Sequence, residues 1–145
     1  MRQSVELVNA FPNQRFVLDH LGKPLIKAGL MEPWERDLIQ LAGQPNIWCK
    51  LSGMVTEAHW KNWSYDQLLP YMEAVLEAFG PGRVMLGSDW PVCRLAGEYS
   101  EVMQVVLKFI KNIDERDQQK ILYQNAVDCY QLKLNDNGEE KVQDS

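Results

Sequence analysis

The chain has 145 residues, of which 46% are hydrophobic and 24% charged, the balance of a globular domain that can bury a core rather than of a disordered polymer. Its net charge of -5, with no cluster of Lys and Arg, argues against a nucleic-acid partner, whose phosphates select basic faces. No apolar run approaches the roughly 18 to 20 residues of a membrane span, and the N-terminus lacks the apolar centre of a signal peptide, so a cytoplasmic protein is expected.

Residues 2 to 11 read as a short helix with Val5 and Val8 on one face, closed by Pro12 and Asn13. RFVLDH (15 to 20) follows, and its continuous Phe16-Val17-Leu18 run is that of a parallel strand covered on both sides, broken by Gly22 and Pro24. Pro33 opens a second helix whose stripe is Trp34, Leu38, Leu41 and Ala42; Gly43 and Pro45 end it. A second strand, IWCKLSG (47 to 53), leads into an aromatic connector holding His59, Trp60 and Trp63.

Ser64 with Gln67 predicts a capping box for a third helix buried through Leu68, Met72, Val75, Leu76 and Phe79. Pro70 removes an intrahelical donor, so the helix either bends there or is regular only from about Leu69. Gly80-Pro81-Gly82 stops it, and RVMLGSD (83 to 89) is the third strand. Ser100 is the expected cap of a fourth helix, and Asp114 that of a fifth with Ile121, Leu122, Ala126, Val127 and Tyr130 inward; residues 135 to 145 read as a disordered polar tail.

Strands beginning near 16, 47 and 84 are each separated by one helix. Spacings of roughly 30 to 40 residues are those of repeated βα units in a parallel sheet. In such folds chemistry gathers at the C-terminal ends of strands, and here His20, Ser52 and Asp89 end the three strands in turn. They are expected on one rim, with Ser52 between the other two. A neutral imidazole at His20 can polarise a carbonyl or bind a metal, although a structural histidine is equally compatible with the position. Asp89, in the turn Gly87-Ser88-Asp89-Trp90-Pro91, can act as a general base toward water; its bland alternative is a loop-capping carboxylate.

Lys50 shares a face with Ser52 and lies in an otherwise apolar strand, so it needs a partner or a site; a substrate-orienting and an ion-pair role both fit. Asp19 is expected on the side of its strand opposite His20, as a packing or capping acid. His59, Trp60 and Trp63 fit either a flap over a small polar ligand or a loop packed on the rim. Cys93, with no base evident beside it, reads as an inert thiol, and the three cysteines as free. His20 and His59 are the only histidines, too few for a multi-histidine zinc centre within this chain.

The segments FVLDHLGKP (16 to 24), WCKLSG (48 to 53), FGPGRVMLGSDWPVC (79 to 93) and ILYQNAVDCYQL (121 to 132), in this order, resemble the amidohydrolase-related family of sugar-lactone hydrolases and pyrone-dicarboxylate lactonases. The resemblance implies an α/β fold: the C-terminal part of a metal-dependent-hydrolase (β/α)8 barrel, about three βα units plus a terminal helix over residues 1 to 134. It further implies opening of a small lactone, with Asp89 and His20 catalytic and Lys50, Ser52, His59, Trp60 and Trp90 around the substrate. A divalent metal such as zinc is implied for the complete barrel, with His20 and Asp89 as its available ligands. The family's His-x-His pair on the first barrel strand is absent, and a complete barrel usually needs about 250 residues. Two readings follow: a lactone hydrolase whose N-terminal half lies elsewhere, or a shortened fragment with no catalytic role. The expected partners are a small-molecule substrate and, through open sheet edges, other copies of the chain.

Overall fold

The computed structural model describes residues 2–133; the tail read for 135 to 145 lies outside them. Helix α1 (Arg2–Ala10) precedes strand β1 (Phe16–Leu18), α2 (Trp34–Ala42) leads to β2 (Ile47–Leu51), and a one-turn helix α3 (Met54–Glu57) interrupts the connector after it. Helix α4 (Tyr65–Phe79) leads to β3 (Val84–Leu86), followed by α5 (Tyr99–Ile110), α6 (Glu115–Gln119) and α7 (Asn125–Tyr130).

The three strands form one parallel sheet in the order β1-β2-β3, with Leu18 beside Cys49 and Leu51 beside Leu86. Alternation on β2 buries Ile47, Cys49 and Leu51, against which α2 and α4 pack, and leaves Trp48 and Lys50 half-buried on the other face. The helices contribute Leu38, Leu41, Leu68, Met72 and Val75, all fully buried. Each such side chain contributes about 1.5 to 3 kcal/mol of transfer free energy. Among the described residues no helix is long and apolar enough to cross a membrane.

Four expectations change. Helix α4 is regular from Tyr65 and continues through Pro70 rather than starting near Leu69; Pro70 and Asp66, whose carbonyl the proline leaves without its intrahelical donor, are both exposed to solvent. Only half of the capping box forms: Ser64 Oγ accepts from the Gln67 amide at 3.3 Å, while the Gln67 side chain donates to the Ile26 carbonyl. Helix α5 starts at Tyr99 after Glu98, without a side-chain cap, so Ser100 lies inside it. A π-helical turn at Lys120–Gln124 joins α6 to α7. Its wider winding shifts the phase, so that Ile121, Asn125 and Cys129 are buried while Leu122 and Tyr130 are exposed.

This terminal segment crosses the N-terminal ends of the strands. Asn125 Nδ2 donates to the carbonyls of Pro81 and Val84, each at 2.7 Å, and Arg15 donates to Asp128 O at 2.7 Å. The opposite ends of the strands are thereby left to the connecting loops.

Candidate active site

Strand β1 ends one residue before Asp19, and the chain then turns through a left-handed stretch: φ is 53° at His20, 54° at Leu21, 71° at Gly22 and 56° at Lys23. Left-handed backbone is costly for residues with a Cβ, so the surroundings must hold it. They do so from two sides. The Lys23 amide donates to His20 O at 2.8 Å, and the buried Trp34 indole donates to Leu21 O at 2.6 Å, itself backed by the Tyr71 ring at 5.4 Å. The turn swings the His20 ring over the end of β2.

There Gly53, with φ +66°, gives the ring its seat: a Cβ at that position would lie 2.8 Å from His20 Cβ and Cγ. His20 Nδ1 meets Ser52 Oγ at 2.8 Å, and Nε2 lies 3.5 Å from Asp89 Oδ1. His20, Ser52 and Asp89 thus share one rim, but the imidazole, not Ser52, takes the middle place, because the left-handed turn carries it across the sheet. Ser52 is almost wholly buried, so its hydroxyl has a fixed partner. Gly87 stands across from Ser52, where a Cβ would come within 3.0 Å of the serine Cβ.

Asp89 itself has φ 60°, and its carbonyl accepts from the Cys93 amide at 2.8 Å, closing the turn behind it. Ser88 Oγ accepts from the Trp90 amide at 3.1 Å, which makes it a turn residue. Cys93 is buried, and burial pushes its thiol above the ordinary range. Trp90 is exposed.

Lys50 finds its partner in Asp19, with Nζ to Oδ1 at 2.8 Å; the parallel register that puts Leu18 beside Cys49 puts these two residues side by side as well. Asp19 is therefore an ion-pair acid rather than a packing or capping one. Burial opposes the Lys50 charge, but hydrogen bonds to Asp19 and Tyr130 outweigh it and hold the ammonium above its usual pKa.

Helix α3, read from the sequence as plain connector, touches the rim three times. Its N-cap is Gly53. Thr56 Oγ1 donates to Gly53 O at 2.9 Å and lies 3.5 Å from Asp89 Oδ2, and Glu57 accepts from Lys23 Nζ at 2.7 Å. The Glu57 hydrogen bond raises the Lys23 pKa against the opposing effect of burial, with the Glu57 and Asp89 charges adding to the rise. Gly53 followed three residues later by a hydroxyl was the available sign of this turn. His59 and Trp60 lie beyond it and line a groove with Leu25, Lys27 and Ala28. Trp63 is packed, its indole donating to Ala96 O at 2.7 Å.

Residues 3–132 match the family model Amidohydro_2, described as amidohydrolase. The chain belongs to this family. It is 39% identical over 126 residues to an L-fucono-1,5-lactonase of Burkholderia multivorans, covering 80% of this chain and 43% of that protein. An L-rhamnono-gamma-lactonase of Scheffersomyces stipitis is 26% identical, with 90% of this chain and 45% of that protein covered. Among solved structures, an amidohydrolase from Burkholderia multivorans with bound zinc is 35% identical at a TM-score of 0.82, over 92% of this chain and 51% of that one. The amidohydrolase chain thus spans about half the length of the relatives it matches, and its α/β fold is the C-terminal part of a (β/α)8 barrel.

Proposed function

We propose that the chain supplies the substrate-facing rim of a hydrolase that opens a small sugar-type lactone, with Asp89 activating water and His20 contacting the substrate carbonyl. The observation that carries this reading is the convergence of His20 Nε2 and Asp89 Oδ1 to 3.5 Å on a rim where Ser52 holds the other ring nitrogen. When Ser52 donates to Nδ1, Nε2 carries the proton and can donate to a carbonyl oxygen; when Ser52 accepts, Nε2 presents a lone pair. The Asp89 carboxylate takes a proton from water as the water oxygen bonds to the lactone carbonyl carbon, and the carbonyl π electrons move onto oxygen. Collapse of this adduct breaks the ring C–O bond, and Asp89 returns its proton to the departing ring oxygen, leaving a hydroxy acid.

A nitrogen and a carboxylate oxygen suit zinc, so His20 and Asp89 would hold one side of a divalent ion. Among the described residues no group of three or more His, Cys, Asp or Glu gathers, so the remaining ligands would come from outside them. Such an ion, when bound, would polarise the carbonyl and acidify water. Lys50 and Trp90 are proposed as substrate contacts on the same rim, and self-association is proposed through open sheet edges.

The test compares the 145-residue chain with a chimera joining it to the N-terminal half of the Burkholderia multivorans lactonase. Acid release is measured from five- and six-membered sugar lactones, with chelator and with added zinc. The short chain should show little or no turnover. Asp89→Asn in an active chimera should lower the rate by about 10² to 10⁴, the usual contribution of a general base. Unchanged turnover in that variant would remove Asp89 from the mechanism, and robust Asp89-dependent turnover by the 145-residue chain would show that the lactonase's N-terminal half is not needed.

A further inference from the structure

The groove beside helix α3 has chemistry of its own. It has a volume of about 760 Å³ and is lined by Leu25, Lys27, Thr56, His59, Trp60 and Lys61, among others. That is ample for a single ring compound, since small-molecule sites commonly run to about 300 to 1,000 Å³. Trp60 is 52% exposed, yet its indole N–H is already committed to Thr56 O at 2.9 Å. The tryptophan is therefore anchored by its polar edge, and a ring face remains free to stack.

The charges in the lining do not balance. Glu57, the acid of the lining, is already paired with Lys23, whereas Lys27 and Lys61 are exposed with no ion pair among the described residues. An anchored aromatic face beside two uncompensated ammonium groups favours a ligand with a flat or C–H-rich ring and a negative charge. We propose that this groove binds a small cyclic carboxylate. Its occupancy does not depend on hydrolysis by His20 and Asp89. The two places are nevertheless joined: Thr56 lines the groove, accepts the Trp60 indole proton at its carbonyl and lies against Asp89 through its hydroxyl.

The test needs no catalysis. Indole and backbone amide resonances of the 145-residue chain are followed by NMR as glucuronate is added to about 50 mM, a range that detects millimolar affinity. Glucose serves as the uncharged ring and acetate as the ringless charge. Glucuronate should shift the Trp60 indole and the amides of 25 to 28 and 56 to 62 at concentrations about tenfold below either control, as expected if two exposed charges each add a modest term. Lys27→Gln with Lys61→Gln should bring glucuronate down to the level of glucose, and Trp60→Ala should abolish saturable shifts. These residues are exposed, so the variants should retain the amide spectrum of the sheet. Equal responses to glucuronate and glucose, a response centred elsewhere, no saturable shift, or a response that survives the double lysine variant would each overturn the assignment.

Discussion

Replacing Gly53 by alanine should destabilise the fold more than the same change at Gly29, and the difference should report the seating of His20. Both glycines have left-handed backbone, with φ +66° and +65°, so each variant pays about 1 to 2 kcal/mol for a Cβ there. At Gly29 the new methyl meets nothing within 4 Å, whereas at Gly53 it lies 2.8 Å from His20 Cβ and Cγ and 2.9 Å from Nδ1. Overpacking of this kind costs about 1 to 3 kcal/mol, giving about 2 to 5 kcal/mol at Gly53 in all. Urea unfolding followed by tryptophan fluorescence measures both variants, and a third comparison makes Gly53→Ala in a His20→Gly background. Removing the ring and its Cβ should return the Gly53 cost to that of Gly29. If Gly53→Ala costs no more than Gly29→Ala in the unaltered chain, the imidazole does not rest on Gly53 and the site geometry is wrong.

Asn125→Ala removes the donor that serves two strand-end carbonyls at 2.7 Å, and should cost about 1 to 3 kcal/mol in urea unfolding; a loss below a few tenths would show that α7 is not fastened there. Stability should be flat below the ordinary thiol pKa of 9.0 and fall as pH rises above it. Burial raises the Cys49, Cys93 and Cys129 thiols and the Tyr65 and Tyr71 phenols, so the folded state holds these protons more tightly than the unfolded chain does. Urea midpoints across the alkaline range check this. The fall should be shallower in Cys49→Ala, and a midpoint that stays level to about pH 11 would contradict the burial of these groups.

Continuous apolar runs made the strands legible, because parallel strands covered by helices need no polar alternation, and the Gly and Pro stops around them were unambiguous. The placement of His20 and Asp89 near the C-terminal ends of strands was legible for the same reason, although β1 stops at Leu18 and β3 at Leu86, so both residues stand in the turns that follow rather than closing the strands. Their contact was not. It depends on left-handed backbone at His20, Leu21, Lys23 and Asp89; Leu and Lys do not announce that conformation, and His and Asp favour it too weakly to have marked it. Thr56 was hidden because a one-turn helix is too short to leave a periodic signal, and its role comes from a carboxylate in the loop after another strand. The inward face of the last helices was misjudged since periodicity assumes a constant turn, whereas the π-helical segment at Lys120–Gln124 adds a residue before Asn125. Asp19 was placed by strand alternation beyond the point where the strand stops.

The left-handed turn also bears on how this protein would respond to selection in the laboratory. Glycine adopts such backbone at little cost, so glycine at Leu21 or Lys23 relieves strain of about 1 to 2 kcal/mol per position, set against the contacts those side chains lose. A variant library screened for heat resistance alone would be drawn toward glycine at the exposed Lys23. Each such gain would loosen the loop that aims the imidazole, so survivors would be hardier and chemically blunter. Screening for durability and for ligand response in alternate rounds would keep the 20 to 23 segment intact, and the residues that resist glycine only in the second kind of round would mark the part of the turn that serves the site rather than the scaffold.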